Sequence, residues 1–205
     1  VTRRSALAIA AAVLLLPLLF VETAGAAERT EHADLPPPGR AALVRIFGPL
    51  VEPLGLRVTR AALVDEDNNR SAAGTHLAVY VEPLGAYSPA QYVDGLVTVS
   101  RVFLPSVFRR WSGLRSFDVC QEPHAADDAG AEPPPETQVF VRRRGVGAVD
   151  WQRDDLAALL TAADRARRDG SPITLTVFVA RHLRHVPAYA SAEASAGAAP
   201  KSRYR

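Results

Sequence analysis

The spacing of apolar residues divides the chain into helix-period and strand-period segments in the order αββαββαβ. Across 40–51, Leu43, Ile46, Phe47 and Leu50 recur at helical spacing, and Pro53 with Gly55 stops the run. Leu56 to Val64 and Thr75 to Glu82 follow as strands, with the polar stretch Asp65 to Gly74 as the turn of a hairpin. Ser88-Pro89-Ala90-Gln91 then combines a cap residue, a proline at the first helical position and a glutamine three residues after the cap, which predicts the start of a second helix. Its stripe Tyr92, Leu96, Val99, Phe103, Val107, Trp111 keeps its steps past Pro105, so the proline is expected to kink that helix rather than end it. Leu114 to Gln121 and Thr137 to Arg142 are strands three and four. Asp150 is the expected cap of a third helix, with Leu156, Leu159, Leu160 and Ala163 inward and Gly170 as its stop. Ile173 to Leu183 is the fifth and most apolar strand.

Two strand pairs without an intervening helix argue against an all-parallel sheet, and two helical crossovers argue against a β-sandwich. The expected fold is therefore α+β: a two-layer sandwich with a five-stranded mixed or antiparallel sheet and three helices on one face. This single domain spans 40–187. Before it, 28–39 ends in Pro36-Pro37-Pro38-Gly39 and has the composition of a linker. Within it, 122–136 carries Pro133-Pro134-Pro135 and is expected to be a mobile loop. The Ala-Ser-Gly composition of 188–205 predicts a disordered tail. The pentapeptide Val-Glu-Pro-Leu-Gly occurs at 51–55 and again at 81–85, once ending a helix and once ending a strand, so it is not a structural repeat.

Residues 1–27 have the layout of an export signal: basic Arg3 and Arg4, an apolar run from Ala6 to Val21, and the small residues Ala24-Gly25-Ala26. Cleavage is expected after Ala26 or Ala27. The alternative is an uncleaved anchor, since the apolar run is only slightly under spanning length. The arginine pair also admits a twin-arginine route, although the leucine-rich stretch suits ordinary secretion better. Without that segment, roughly 180 residues remain, enough for one domain with a real core. Their net charge is about +1, so no strong field and no nucleic-acid partner is implied. Of the 24 basic residues all but Lys201 are arginine, a coding bias that discounts the high isoelectric point.

Cys120 is the sole cysteine, so no intramolecular disulfide can form even where export would permit one. It is buried and inert, paired to another chain, or reactive; burial is the commonest state of a free cysteine.

Strand parity separates two sets of side chains. Leu77, Val79, Val81, Phe117, Val119, Val139, Val141, Ile173, Leu175, Val177 and Val179 form an apolar set expected to meet the helices. The opposite set holds His76, Tyr80, Glu82, Ser116, Asp118, Cys120, Gln138, Phe140, Arg142, Thr174, Thr176, Phe178, His182 and Arg184. With all helices on one side, this second surface is open, and its aromatic residues place apolar area where a solvated sheet needs none. The binding candidates are therefore Tyr80, Asp118, Phe140, Arg142, Phe178 and His182.

No residue is assigned a catalytic role; the weak candidates are Cys120, His182 and His76, with Asp118 as a third group and His124 as another imidazole. His182 and His185 would point to opposite sides of a strand, with no carboxylate or cysteine nearby to complete a zinc set. Asp65, Asp67 and Asn69 match the first positions of a calcium loop, but Arg70 replaces its turn glycine and His76 its bidentate glutamate. Asn69-Arg70-Ser71 is a glycosylation pattern only in a eukaryotic secretory pathway. Arg142 to Arg144 and Arg165, Arg167 and Arg168 have aspartates nearby and read as solvated faces. Phosphate loops, nucleophile elbows and zinc-protease motifs are absent from the sequence.

The sequence thus implies an exported, non-enzymatic binding or interaction domain of the bacterial envelope or exterior, working through an exposed sheet face. Its partner is an unknown protein or small molecule. No cofactor or metal is called for, and membrane contact arises only through an uncleaved signal segment. The alternative is a cysteine-dependent hydrolase or redox protein centred on Cys120.

Overall fold

Helix α1 (Arg40–Val51) buries Leu43, Phe47 and Val51, one residue per turn, and lays this stripe on strand β1 (Leu56–Val64). A 3₁₀ turn over Glu52–Leu54 ends at Gly55, whose φ of 71° lies in the left-handed region that favours glycine. Its N–H closes the turn on Glu52 O at 2.9 Å. The computed structural model describes residues 40–64, 75–124, 134–169 and 173–198. The signal-like segment, the linker, the calcium-like loop with its glycosylation pattern, and the centre of the proline-rich loop lie outside the described residues.

Strand β2 (His76–Pro83) pairs antiparallel with β1, as the hairpin pattern predicts, with a register shift between Val58 and Arg60 that leaves Thr59 as an extra residue. The two Val-Glu-Pro-Leu-Gly copies meet here, Leu84 N–H donating to Gly55 O at 2.9 Å. Helix α2 (Pro89–Phe103) starts on the expected capping box: Ser88 Oγ accepts from Gln91 N–H, and Gln91 Oε1 accepts from Ser88 N–H at 2.8 Å. It does not continue as a kinked helix past Pro105. The chain turns extended at Leu104 and restarts as a short helix, α3 (Ser106–Arg110), which keeps Val107 and Phe108 buried.

Strand β3 (Ser116–Gln121) runs parallel to β2, so α2 and α3 form the crossover between them. Strands β4 (Thr137–Arg142) and β5 (Leu175–Val179) add antiparallel pairings, giving a five-stranded mixed sheet in the order β1-β2-β3-β4-β5. Arg143 fastens the end of β4 to the α3–β3 connection, donating to the carbonyls of Leu114, Phe108 and Trp111 at 2.6–3.0 Å.

Helix α4 (Leu156–Arg168) lies over β5. Its cap is Asp155, whose side chain accepts from Ala158 N–H at 2.9 Å; Asp150 instead closes the preceding turn on Gln152 N–H. Beyond β5 the chain winds into a 3₁₀ turn over Arg181–His185, and Pro187–Ala198 form helix α5 where disorder was expected. Alanine has the highest helix propensity, Pro187 suits a first helical position, and Tyr189, Ala192 and Ala196 provide a buried stripe against α4.

The result is the expected α+β two-layer arrangement, with five α-helices among the described residues instead of three. One continuous core of Leu43, Phe47, Val79, Leu96, Phe103, Phe117, Val141, Leu159 and Leu175, with their neighbours, fills the space between the helices and one face of the sheet. Among the described residues no helix is long and apolar enough to cross a membrane.

Candidate functional site

Strand parity holds for β2 to β5. Leu77, Val79, Val81, Phe117, Val119, Val139, Val141, Leu175 and Val179 are buried on the helix side. Ile173 precedes β5 and is exposed. On the other side, register places His76 beside Ser116 and Arg142, Ala78 beside Asp118, Phe140 and Thr176, and Tyr80 beside Cys120, Gln138 and Phe178. These three rows, the first over β2 to β4 and the other two over β2 to β5, define the outer face.

The outer face is not uniformly open. At its centre, His76, Asp118 and Cys120 are only 7%, 6% and 2% exposed. Tyr80 is half-buried, with the Arg60 guanidinium 3.9 Å above its ring. Arg60 also pairs with the buried Glu122 carboxylate at 2.6 Å, and Thr59 donates to the other Glu122 oxygen at 2.6 Å. Openness grows toward β5, where Phe140 and Arg142 are half-buried, Thr176 is exposed and Phe178 is 43% exposed. Of the binding candidates, Phe140, Arg142 and Phe178 therefore lie on accessible surface, Tyr80 at its margin, and Asp118 beneath it.

Around Asp118 the face is a polar cluster. His76 Nδ1 lies 3.0 Å from Ser116 Oγ, and His76 Nε2 lies 3.5 Å from Asp118 Oδ1. Gln138 Nε2 donates to Asp118 Oδ2 at 2.5 Å, and the His76 and Phe140 rings sit 5.8 Å apart between centroids. In the tautomer with its proton on Nε2, the ring N–H faces Asp118, which can only accept, and Nδ1 accepts from the Ser116 hydroxyl. Ser116 lies on the expected outer face but is not among the sequence candidates. Its signal was the Ser-x-Asp spacing of β3, which gains meaning only once register sets His76 against it.

His182 does not share this surface. The chain leaves the sheet at Ala180, and His182 lies on the 3₁₀ turn with its Nε2 2.8 Å from Glu136 Oε2. Arg184 lies on the same turn, its Nε donating to Val179 O. His182 instead borders a cavity of about 310 Å³ at the start of α2, with Tyr87, Tyr92, His124 and Glu136. There His124 Nδ1 meets Pro83 O at 3.0 Å, and the Tyr92 hydroxyl accepts from His124 N–H. Among the described residues no three His, Cys, Asp or Glu side chains stand where they could hold a metal ion together.

Cys120 has the wrong surroundings for a nucleophile. Burial pushes its thiol far above the ordinary range, and the Asp118 and Glu122 carboxylates push it the same way. Of the four residues that a cysteine-centred site would have needed together, His76, Asp118 and Cys120 share the outer face, and His182 stands apart on the 3₁₀ turn beyond β5. The chain matches no protein-family model, no curated protein and no solved structure.

Proposed function

We propose that this chain is an exported binding or interaction domain that engages its partner through the outer face of β4 and β5. The observation that carries this is Phe178. Its ring is 43% exposed on a sheet whose other face already supplies the whole core, and it lies diagonally from Phe140, whose ring has the Arg142 guanidinium 5.9 Å away. Two aromatic rings and a guanidinium on one rigid sheet form the kind of anchor that dominates recognition surfaces. β5 pairs only with β4 among the described residues, so its outer edge can also offer main-chain groups. Export rests on the Arg3-Arg4, Ala6 to Val21 and Ala24-Gly25-Ala26 layout of the first residues. The partner is a protein or a small molecule bearing an apolar or aromatic group together with an acceptor for Arg142. The net charge of +2 provides no strong field to draw in a polyanion.

The test is paired substitution. Phe178→Ser with Phe140→Ser should leave the melting transition in place and lower partner affinity at least tenfold. Full affinity in the double variant would discard this surface.

A further inference from the structure

We propose that Ser116, His76 and Asp118 form an acyl-transfer site on the outer sheet face, with Ser116 Oγ as nucleophile, His76 as its base, and Asp118 as the positioning residue. This goes beyond the binding reading and needs only that Ser116 be reachable. The geometry follows the order of groups that activates a hydroxyl. Ser116 Oγ is 3.0 Å from His76 Nδ1, and the far ring nitrogen faces Asp118 Oδ1 at 3.5 Å. Asp118 Oδ1 has no hydrogen-bond partner among the described residues, and its sister oxygen is fixed by Gln138. That oxygen, 3.5 Å from His76 Nε2, is placed to stabilise the imidazolium that forms when His76 accepts the serine proton. Ser116 itself is only partly buried, whereas the two groups behind it are almost fully enclosed.

Arg142 is the register partner of Ser116 on the same face. Its Nε is committed to Ile173 O at 3.1 Å, and its terminal guanidinium nitrogens have no hydrogen-bond partner among the described residues. A cation in the row of the nucleophile is suited to the oxyanion that develops during acyl transfer. Phe140 and Phe178 extend the same surface, which fits an ester with an apolar acyl or alcohol part.

The step balances without any other reactant than ester and water. Ser116 Oγ bonds to the acyl carbon as its proton passes to His76 Nδ1. The tetrahedral adduct collapses, the bond to the alkoxy oxygen breaks, and the leaving alcohol takes that proton. Water then attacks the acyl-serine by the same route, releasing a carboxylic acid and restoring the hydroxyl.

The experiment treats the full chain with a small alkyl fluorophosphonate and maps the adduct by peptide mass spectrometry. Labelling should fall on Ser116, at least a hundredfold faster than on a synthetic peptide of residues 113–121, and should vanish in Ser116→Ala. His76→Asn and Asp118→Asn should each slow it at least tenfold with the thermal transition retained. Should either variant fail to fold, the comparison of folded chain with peptide still decides. Ser116 unlabelled, or labelled no faster than in the peptide, would overturn the proposal, as would an unchanged rate in folded His76→Asn. The probe needs no partner, so labelling without capture, or capture without labelling, separates this proposal from the binding one.

Discussion

Gln138 reaches diagonally across the β3–β4 pairing to donate a 2.5 Å hydrogen bond to Asp118, a carboxylate only 6% exposed. The residue directly opposite Asp118 is Phe140, so the amide bridges one register row to the next. This bond holds the carboxylate oriented toward His76.

Removing the bridge leaves a buried carboxylate oxygen without its donor, which costs more than the bond itself contributes. Gln138→Leu should therefore destabilise the domain by about 1–3 kcal/mol, read as a lower urea midpoint at unchanged slope. A midpoint equal to that of the parent would show that the bond does not constrain Asp118.

Gly95 and Gly197 are both helical, yet their replacement should have opposite signs. A Cβ on Gly95 would stand 2.3 Å from Gln121 Oε1, and that amide is held by the Tyr92 carbonyl at 3.0 Å and Thr137 Oγ1 at 2.5 Å. Gly95→Ala should cost about 1–2 kcal/mol, since displacing a buried, doubly bonded amide outweighs a helix-propensity gain of about 1 kcal/mol. Gly197 has nothing within 4 Å of the added atom, so Gly197→Ala should be neutral or stabilising by up to about 1 kcal/mol. Thermal melts of the two variants check the contrast.

The raised Cys120 thiol gives a pH signature. Its folded-state value lies above the unfolded one because burial, then Asp118 and Glu122, disfavour the thiolate. The resulting stabilisation is complete below the unfolded value of about 8.5 and is lost as pH rises beyond it, by about 1.4 kcal/mol per unit. Urea midpoints measured from pH 8 to 10 should fall in the parent, with that component of the slope missing in Cys120→Ala. Alkylation at pH 8 should be slow in buffer and rapid in denaturant. Fast labelling of the folded thiol would contradict the burial assigned to it.

The parts legible in the sequence are those decided locally. The Ser88–Gln91 box is a four-residue interaction, and the limits of β4 follow from an alternation bounded by polar residues, so both appear as expected. Helix α4 was legible as an element but not in its cap: Asp150, Asp154 and Asp155 all precede it, and which one turns into the helix depends on the chain path around Trp151, whose indole N–H bonds Val146 O at 2.8 Å. The apolar run carries the predicted fifth strand on to Leu183, beyond the observed end of β5 at Val179. The Leu183 side chain is buried from a 3₁₀ turn rather than from a strand, which carries His182 off the sheet face. Helix α5 was hidden by composition, since alanine suits a packed small-residue stripe as well as a disordered tail. The Ser116–His76 contact depends on a parallel pairing across the α2–α3 crossover, and no local pattern encodes that register.

A photo-crosslinking amino acid placed at position 178 of the full chain in its producing cell probes the proposed contact surface on the outer face of β4 and β5. A control carries the same group at Gln152, an exposed position in the turn before α4. Contact through this face should give one discrete adduct from position 178 and none from position 152. Adducts from both positions alike, or from position 152 alone, would contradict it.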